Sequence, residues 1–279
     1  KCIKIKKIIM KKFKYKVLIV GGFGHIGLPL GILFANKGLS TCLYDINKKY
    51  FKIINKGKMP FTEYGAEQLL KKNIKNKRLN LSLNIKSIRE AENIIIAIGT
   101  PVDEYLNPKT KEFVRLFKKI IPYLNKNQNI IIRSSVFPDT CKRVYSLLKN
   151  KKINLSYCPE RIVQGYGIKE LQTLPQIISG FTGKSIKSSS LLFNKISPRT
   201  IKTTVKEAEL IKLFTNSLRY IQFATANQFY MICKNFNVNF KSLRASMIDG
   251  YDRAKWLPSA GFTSGPCLMK DTMQLAAFN

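Results

Sequence analysis

Residues 16–35, KVLIVGGFGHIGLPLGILFA, constrain this chain more than any other stretch. A short β-branched run enters Gly22-Phe23-Gly24-His25-Ile26-Gly27 and leaves as an apolar, helix-forming segment. In a strand–turn–helix unit the three glycines meet three demands: a tight turn, close approach of backbone to a ligand, and packing of helix on strand. The opening turn of the helix has unpaired N–H groups and so makes a seat for a pyrophosphate. The same residues are almost all apolar and follow a basic stretch, as a signal peptide or membrane span would. Gly21, Gly22, Gly24, Gly27, Gly31, Pro29 and His25 among them favour strand, turn and buried helix instead.

Asp45 closes the second apolar run, 21 residues after Gly24. A carboxylate there accepts hydrogen bonds from ribose hydroxyls and repels a 2′-phosphate, which favours NAD over NADP as the cofactor. His25 is expected to lie near the phosphates. Short β-rich runs are expected at 16–20, 40–44, 93–98, 129–133, 154–157 and 176–179, alternating with helical stretches. Continuous runs such as NIIIAIG and NIIIRSS suit strands buried on both faces. The expected fold class is α/β, a Rossmann-like doubly wound parallel sheet over residues 10–199. After Thr204 comes KEAELIKLFTNSLRYIQFATANQFYMICKNF, free of Gly and Pro, which predicts one long spine helix in an all-helical central domain over 200–279. Residues 1–9 precede the first methionine, Met10, and are left out of the fold reasoning. The chain ends within an amphipathic pattern at Asn279, as a cut chain would.

The formal charge of +33 raises nucleic acid or an anionic membrane as a partner. Yet Lys is spread along the chain with Ile and Asn instead of clustering. The expectation is no specific nucleic acid and no membrane, with the charge at most drawing in an anionic substrate. The six cysteines form no CxxC pair and the single histidine excludes a His-rich site, so neither metal nor disulfide framework is expected. The protein reads as reduced and cytoplasmic.

Three places carry candidate chemistry. Cys267 stands at a helix start with Lys270 behind it, where N–H groups and a cation favour a thiolate; a buried structural thiol is the alternative. Lys212 and Asn216, at i and i+4, present a cation and an amide on one helix face, able to hold an oxyanion or simply to be solvated. Glu160 follows a strand at the carboxyl edge of the sheet, where α/β ligands bind, or is an ordinary loop carboxylate.

Together GGFGHIGLPL, Gly99-Thr100-Pro101, SSVFPDT, CPERIVQG, ELIKLFTN, Arg253 and GPCLMKD resemble, in order and spacing, the UDP-glucose/GDP-mannose dehydrogenase family over essentially the whole chain. The resemblance implies an NAD-dependent, four-electron oxidation of a UDP-sugar C6 hydroxyl to a uronate, for cell-surface polysaccharide or lipopolysaccharide precursors. It implies Cys267 as the nucleophile of a thiohemiacetal and thioester, and Glu160 as the base that activates water. Lys212 and Asn216 would stabilise oxyanions, Asp271 would relay protons, and Ser135 would keep a hydroxyl near cofactor and water. Ile26, Thr100 and Lys270 would contact the cofactor. Arg161 and Gly261 would contact the substrate, and Arg253 a substrate in the neighbouring subunit of a homodimer built on the long helix. A covalent bond to sulfur suits this chemistry because the aldehyde must be retained while the reduced cofactor is exchanged.

Departures from the family pattern are Ser264-Gly265-Pro266 before Cys267, Pro138-Asp139-Thr140 for Pro-Gly-Thr, and Asn227-Gln228 for Asn-Glu. The CPER wording resembles members acting on UDP-N-acetylhexosamines more than on UDP-glucose. The family's C-terminal UDP-binding domain is expected to be absent, and the piece alone is not expected to turn over. Competing readings are a 6-phosphogluconate or 3-hydroxyacid dehydrogenase, which needs no Cys267, and an inactive NAD-binding fragment.

Overall fold

The computed structural model describes residues 13–100, 102–104, 109–262 and 267–277. Residues 10–12 of the expected first domain, Pro101, and the Ser264-Gly265-Pro266 departure lie outside them. Strands β1 (Tyr15–Val20), β2 (Thr41–Tyr44), β3 (Leu79–Ser82), β4 (Ala91–Ile96), β5 (Asn129–Ile132), β6 (Asn154–Tyr157), β7 (Gln176–Gly180) and β8 (Thr200–Lys202) form one sheet. The order is β3-β2-β1-β4-β5-β6-β7-β8, parallel except where β7 runs against β6. The reversal of winding on either side of β1 is the doubly wound pattern, and it opens a crevice at the carboxyl ends of β1 and β4.

Alternation along β1 divides the core. Leu18 and Val20 join Ile94, Ile96, Ile130 and Ile132 beneath α4 (Thr110–Ile120) and α5 (Thr140–Leu148). Val17 and Ile19 join Leu43, Ile95 and Ile131 beneath α1 (Gly27–Asn36). The expected strands are all present. β3 and β8 add two that the apolar runs do not reveal. β8 also carries the sheet past the expected 199/200 boundary; this strand of three residues, Thr-Ile-Lys, is too short and too exposed to show as an apolar run.

The spine helix is α8, Val205–Asn235, 31 residues and so about 46 Å long. It starts on a capping box in which Thr204 and Glu207 satisfy each other's backbone N–H. The Thr203 hydroxyl, then the Thr204 N–H and hydroxyl, hold the Glu207 carboxyl down at about 2. The beginning of α8 packs on the α4–α5 side of the sheet through Ala208 and Ile211, and α10 (Cys267–Ala276) lies along it. Its far half supports a small cluster of Ala226, Cys233, Leu257 and Phe240, the last from α9 (Phe240–Ile248).

Candidate active site

The glycine turn is built as a dinucleotide seat. A Cβ on Gly22 would stand 2.8 Å from Leu43 Cβ, and one on Gly27 would run into the Gly21 carbonyl and stand 2.9 Å from Gly22 Cα. These two glycines hold helix α1 down on the sheet. At Gly24 the nearest protein atom to such a Cβ is 3.5 Å away. No neighbour excludes a side chain there, so the bare backbone is left facing open space, as an approaching pyrophosphate requires. Ile26 is the N-cap of α1 and provides no side-chain cap, leaving the helix N–H groups for an anion. Asp45 Oδ2 accepts from Phe23 N at 3.1 Å and Oδ1 from Asn47 N at 3.1 Å, which fixes the carboxylate beside the turn. His25 stacks on Phe61 with ring centroids 3.9 Å apart, and burial lowers its pKa. Its buried Nδ1 lacks a protein partner. These residues fit NAD.

Across the crevice, α8 and α10 bring their functional side chains together. Asn216 Nδ2 donates to Asp271 Oδ2 at 2.5 Å in a buried contact, while Oδ1 of the same carboxylate has no hydrogen-bond donor and lies 3.4 Å from Lys270 Nζ. Burial pushes the Lys212 ammonium below its ordinary pKa, and Asp271, Glu160 and Cys267, in that order, pull it back up. One cation therefore sits in the combined field of both carboxylates and the thiol. Cys267 is exposed at the first position of α10, whereas Cys42, Cys141, Cys158 and Cys233 are buried. Lys270 Nζ donates to Thr100 Oγ1 at 2.7 Å and ties α10 to the loop after β4.

Glu160 is more tightly held than its position after β6 suggests. Arg133, fully buried, donates Nε to Oε2 at 2.8 Å and adds a second contact through its terminal nitrogen. Oε1 accepts from Arg161 N at 2.7 Å and Ile162 N at 3.2 Å. Three hydrogen bonds and a close ion pair hold this carboxylate in place as a counter-charge. Asp271 Oδ1, which accepts no hydrogen bond, is a second candidate for the expected base role. The Arg161 guanidinium is half-buried and donates to Pro175 O at 2.5 Å. Ser135 is half-buried on the loop after β5.

The remaining expected substrate residues stand apart. Arg253 is exposed on a short turn with its guanidinium 4.8 Å from the Tyr251 ring centroid. Gly261 is clasped to α8 by Asn227, which donates to its carbonyl at 3.0 Å and accepts from its N–H at 2.8 Å. Sequence reasoning passed over Arg133 and Glu209. The local hints were slight: Arg133 ends the apolar NIII run, and Glu209 opens the ELIKLFTN string.

Comparison with known proteins bears on this arrangement. Residues 15–197 match the NAD binding domain, and 206–279 the central domain, of the UDP-glucose/GDP-mannose dehydrogenase family. The chain belongs to that family. A relative described as UDP-N-acetyl-D-mannosamine dehydrogenase from Methanococcus maripaludis is 33% identical over 232 residues, covering 81% of this chain and 53% of the relative. One of the same description from Campylobacter jejuni is 28% identical over 272 residues, covering 92% and 66%. The chain thus spans about half the length of the first of these relatives. The solved UDP-D-ManNAc dehydrogenase of Pyrococcus horikoshii superposes with a TM-score of 0.86 at 26% identity, over 94% of this chain and 64% of that one. The matched NAD binding domain contains the glycine turn and Asp45. Among the described residues no helix is long and apolar enough to cross a membrane.

Proposed function

We propose that this chain carries the cofactor and chemical half-sites for oxidising the C6 hydroxyl of a UDP-N-acetylhexosamine, UDP-N-acetylmannosamine foremost, to the uronate. The observation that carries the reading is the Lys212 ammonium set amid Asp271, Glu160 and Cys267 at the edge of an NAD-binding sheet. The CPER segment and the names of the relatives support the choice of sugar. A cell-surface polysaccharide precursor is the fitting product, and the unpaired described cysteines suit a reducing cytosol.

NAD, when bound, would supply the hydride acceptor, one cofactor for each of the two oxidations. At C6 the hydroxyl proton passes to Asp271 Oδ1 as the first hydride leaves, with Lys212 and Asn216 holding the oxygen. Cys267 Sγ adds to the aldehyde and its proton moves to the carbonyl oxygen. Loss of the second hydride and that proton leaves a thioester. Asp271, having released its proton to solvent, accepts one from the water that attacks the thioester; the C–S bond breaks, the sulfur regains a proton and the carboxylate departs. Glu160, held by Arg133, stabilises the charged state of Lys212 throughout. Ser135 holds a water beside the reacting carbon. A homodimer along the exposed face of α8 brings Arg253 of one chain to the other's sugar.

Incubation of the chain, joined to the C-terminal part of a full-length relative where the piece alone does not turn over, with NAD and UDP-N-acetylmannosamine tests the reading, followed by NADH counting and peptide mass analysis after acid quench. Two NADH per uronate are expected, with Cys267→Ser stopping before acid. One NADH with free aldehyde, or full activity without the thiol, overturns it and favours a hydroxyacid-type dehydrogenase.

A further inference from the structure

Helix α5 has an N-terminus that its own residues do not cap. Its N-cap, Asp139, sits in the left-handed region at φ 65 and makes no side-chain cap hydrogen bond. The cap comes instead from 70 residues further along the chain: Glu209 Oε2 accepts from Asp139 N at 3.0 Å. Its other oxygen, Oε1, accepts from Cys141 N at 3.0 Å. Glu209 is 1% exposed. Burial raises its pKa, and the same two N–H groups oppose that. Burying a carboxylate costs free energy that a short apolar contact would not, so what it offers is direction: two charge-assisted bonds that fix both distance and angle.

The two ends of this clasp matter for the site. Glu209 precedes Lys212 by one turn of α8 and Asn216 by two, all on one face. The loop it grips, 134–139, carries Ser135. We propose, resting on the functional reading above, that Glu209 is a positioning residue that sets the Ser135 loop in register with Lys212 and Asn216. It touches neither sugar nor cofactor.

Glu209→Gln keeps the shape but turns one acceptor into a donor facing an N–H, and Glu209→Asp keeps the charge but shortens the reach. Thr182→Ala serves as a control. It removes a capping box at the start of α7 (Gly183–Phe193), where Thr182 and Ser185 bond each other's backbone at 3.1 Å. Each variant is read for Tm, NAD affinity, kcat and KM for UDP-N-acetylmannosamine, and maleimide labelling of Cys141 against Cys158 by peptide mass. Glu209→Gln is expected to lower kcat at least tenfold with KM and NAD affinity within twofold, and to speed Cys141 labelling at least tenfold over Cys158. Glu209→Asp should fall between it and the parent, and Thr182→Ala should lower Tm with kcat intact. The proposal is overturned if Glu209→Gln keeps kcat within twofold, if Cys141 stays as protected as in the parent, or if Thr182→Ala loses as much kcat. If the parent turns over no sugar, the functional reading fails. The labelling ratio then decides the clasp on its own: unchanged labelling overturns it, and selective exposure of Cys141 upholds it.

Discussion

At the scale of single residues, Lys212 and Glu160 make opposite predictions. Lys212 has a folded-state pKa below its unfolded one because burial disfavours the ammonium. Between those two values the unfolded chain binds more protons, so stability rises with pH there and the charged lysine costs stability below. Activity that needs the cation runs the other way, falling as pH climbs through the depressed value. Lys212→Met should therefore abolish NADH production while leaving the fold at least as resistant to urea. Residual NADH production by the variant, or a parent pH–rate profile with no alkaline fall, would contradict this. Glu160→Gln should instead strand the buried Arg133 guanidinium and destabilise by about 3–5 kcal/mol, with Arg133→Met/Glu160→Gln recovering part of the loss. Denaturant midpoints for the three variants check this.

Those residues also show what a sequence displays. Cys267, Lys212, Asn216 and Asp271 were legible because helical spacing and motif order put them on facing helices. The tie between Glu160 and Arg133 was not, since the two are 27 positions apart and meet only when β5 and β6 pair. Arg253 shows the reverse: a motif residue that lies exposed beside Tyr251.

Among elements, continuous apolar strands declared themselves, and so did α8, by the absence of any helix breaker. The edge strands β3 and β8 did not, because half of each strand's surface faces solvent and needs no apolar residue. The start of α5 is the instructive case. Where the family pattern has glycine, Asp139 adopts φ 65, a conformation that costs a side chain about 1 kcal/mol or more, and its charge adds to the strain on Glu209. Asp139→Gly should raise Tm by roughly 2–4 °C. A lower Tm would show that the aspartate contributes something the backbone geometry does not reveal.

For the whole molecule, the exposed apolar residues of α8 are the main unbalanced feature. Phe214, Leu218, Ile221 and Ile232 are each more than half exposed, at a spacing that puts them on one side of the helix, an apolar stripe of the kind that marks association. Light scattering is expected to give twice the 31.9 kDa chain mass, and Ile221→Glu or Leu218→Glu to return it to one. A single-chain mass for the parent would refute the dimer.

The bond from Lys270 to Thr100 joins the helix that begins with Cys267 to the loop beside the cofactor. Under the proposed chemistry, spent cofactor must leave and fresh cofactor arrive while the half-oxidised sugar is still present. Exchange beside that loop leaves the half-oxidised sugar in need of a hold of its own. A molecule wired in this way cannot rely on closure to keep its cargo between the two steps. The carbon–sulfur bond is then the tether that survives the change of shift.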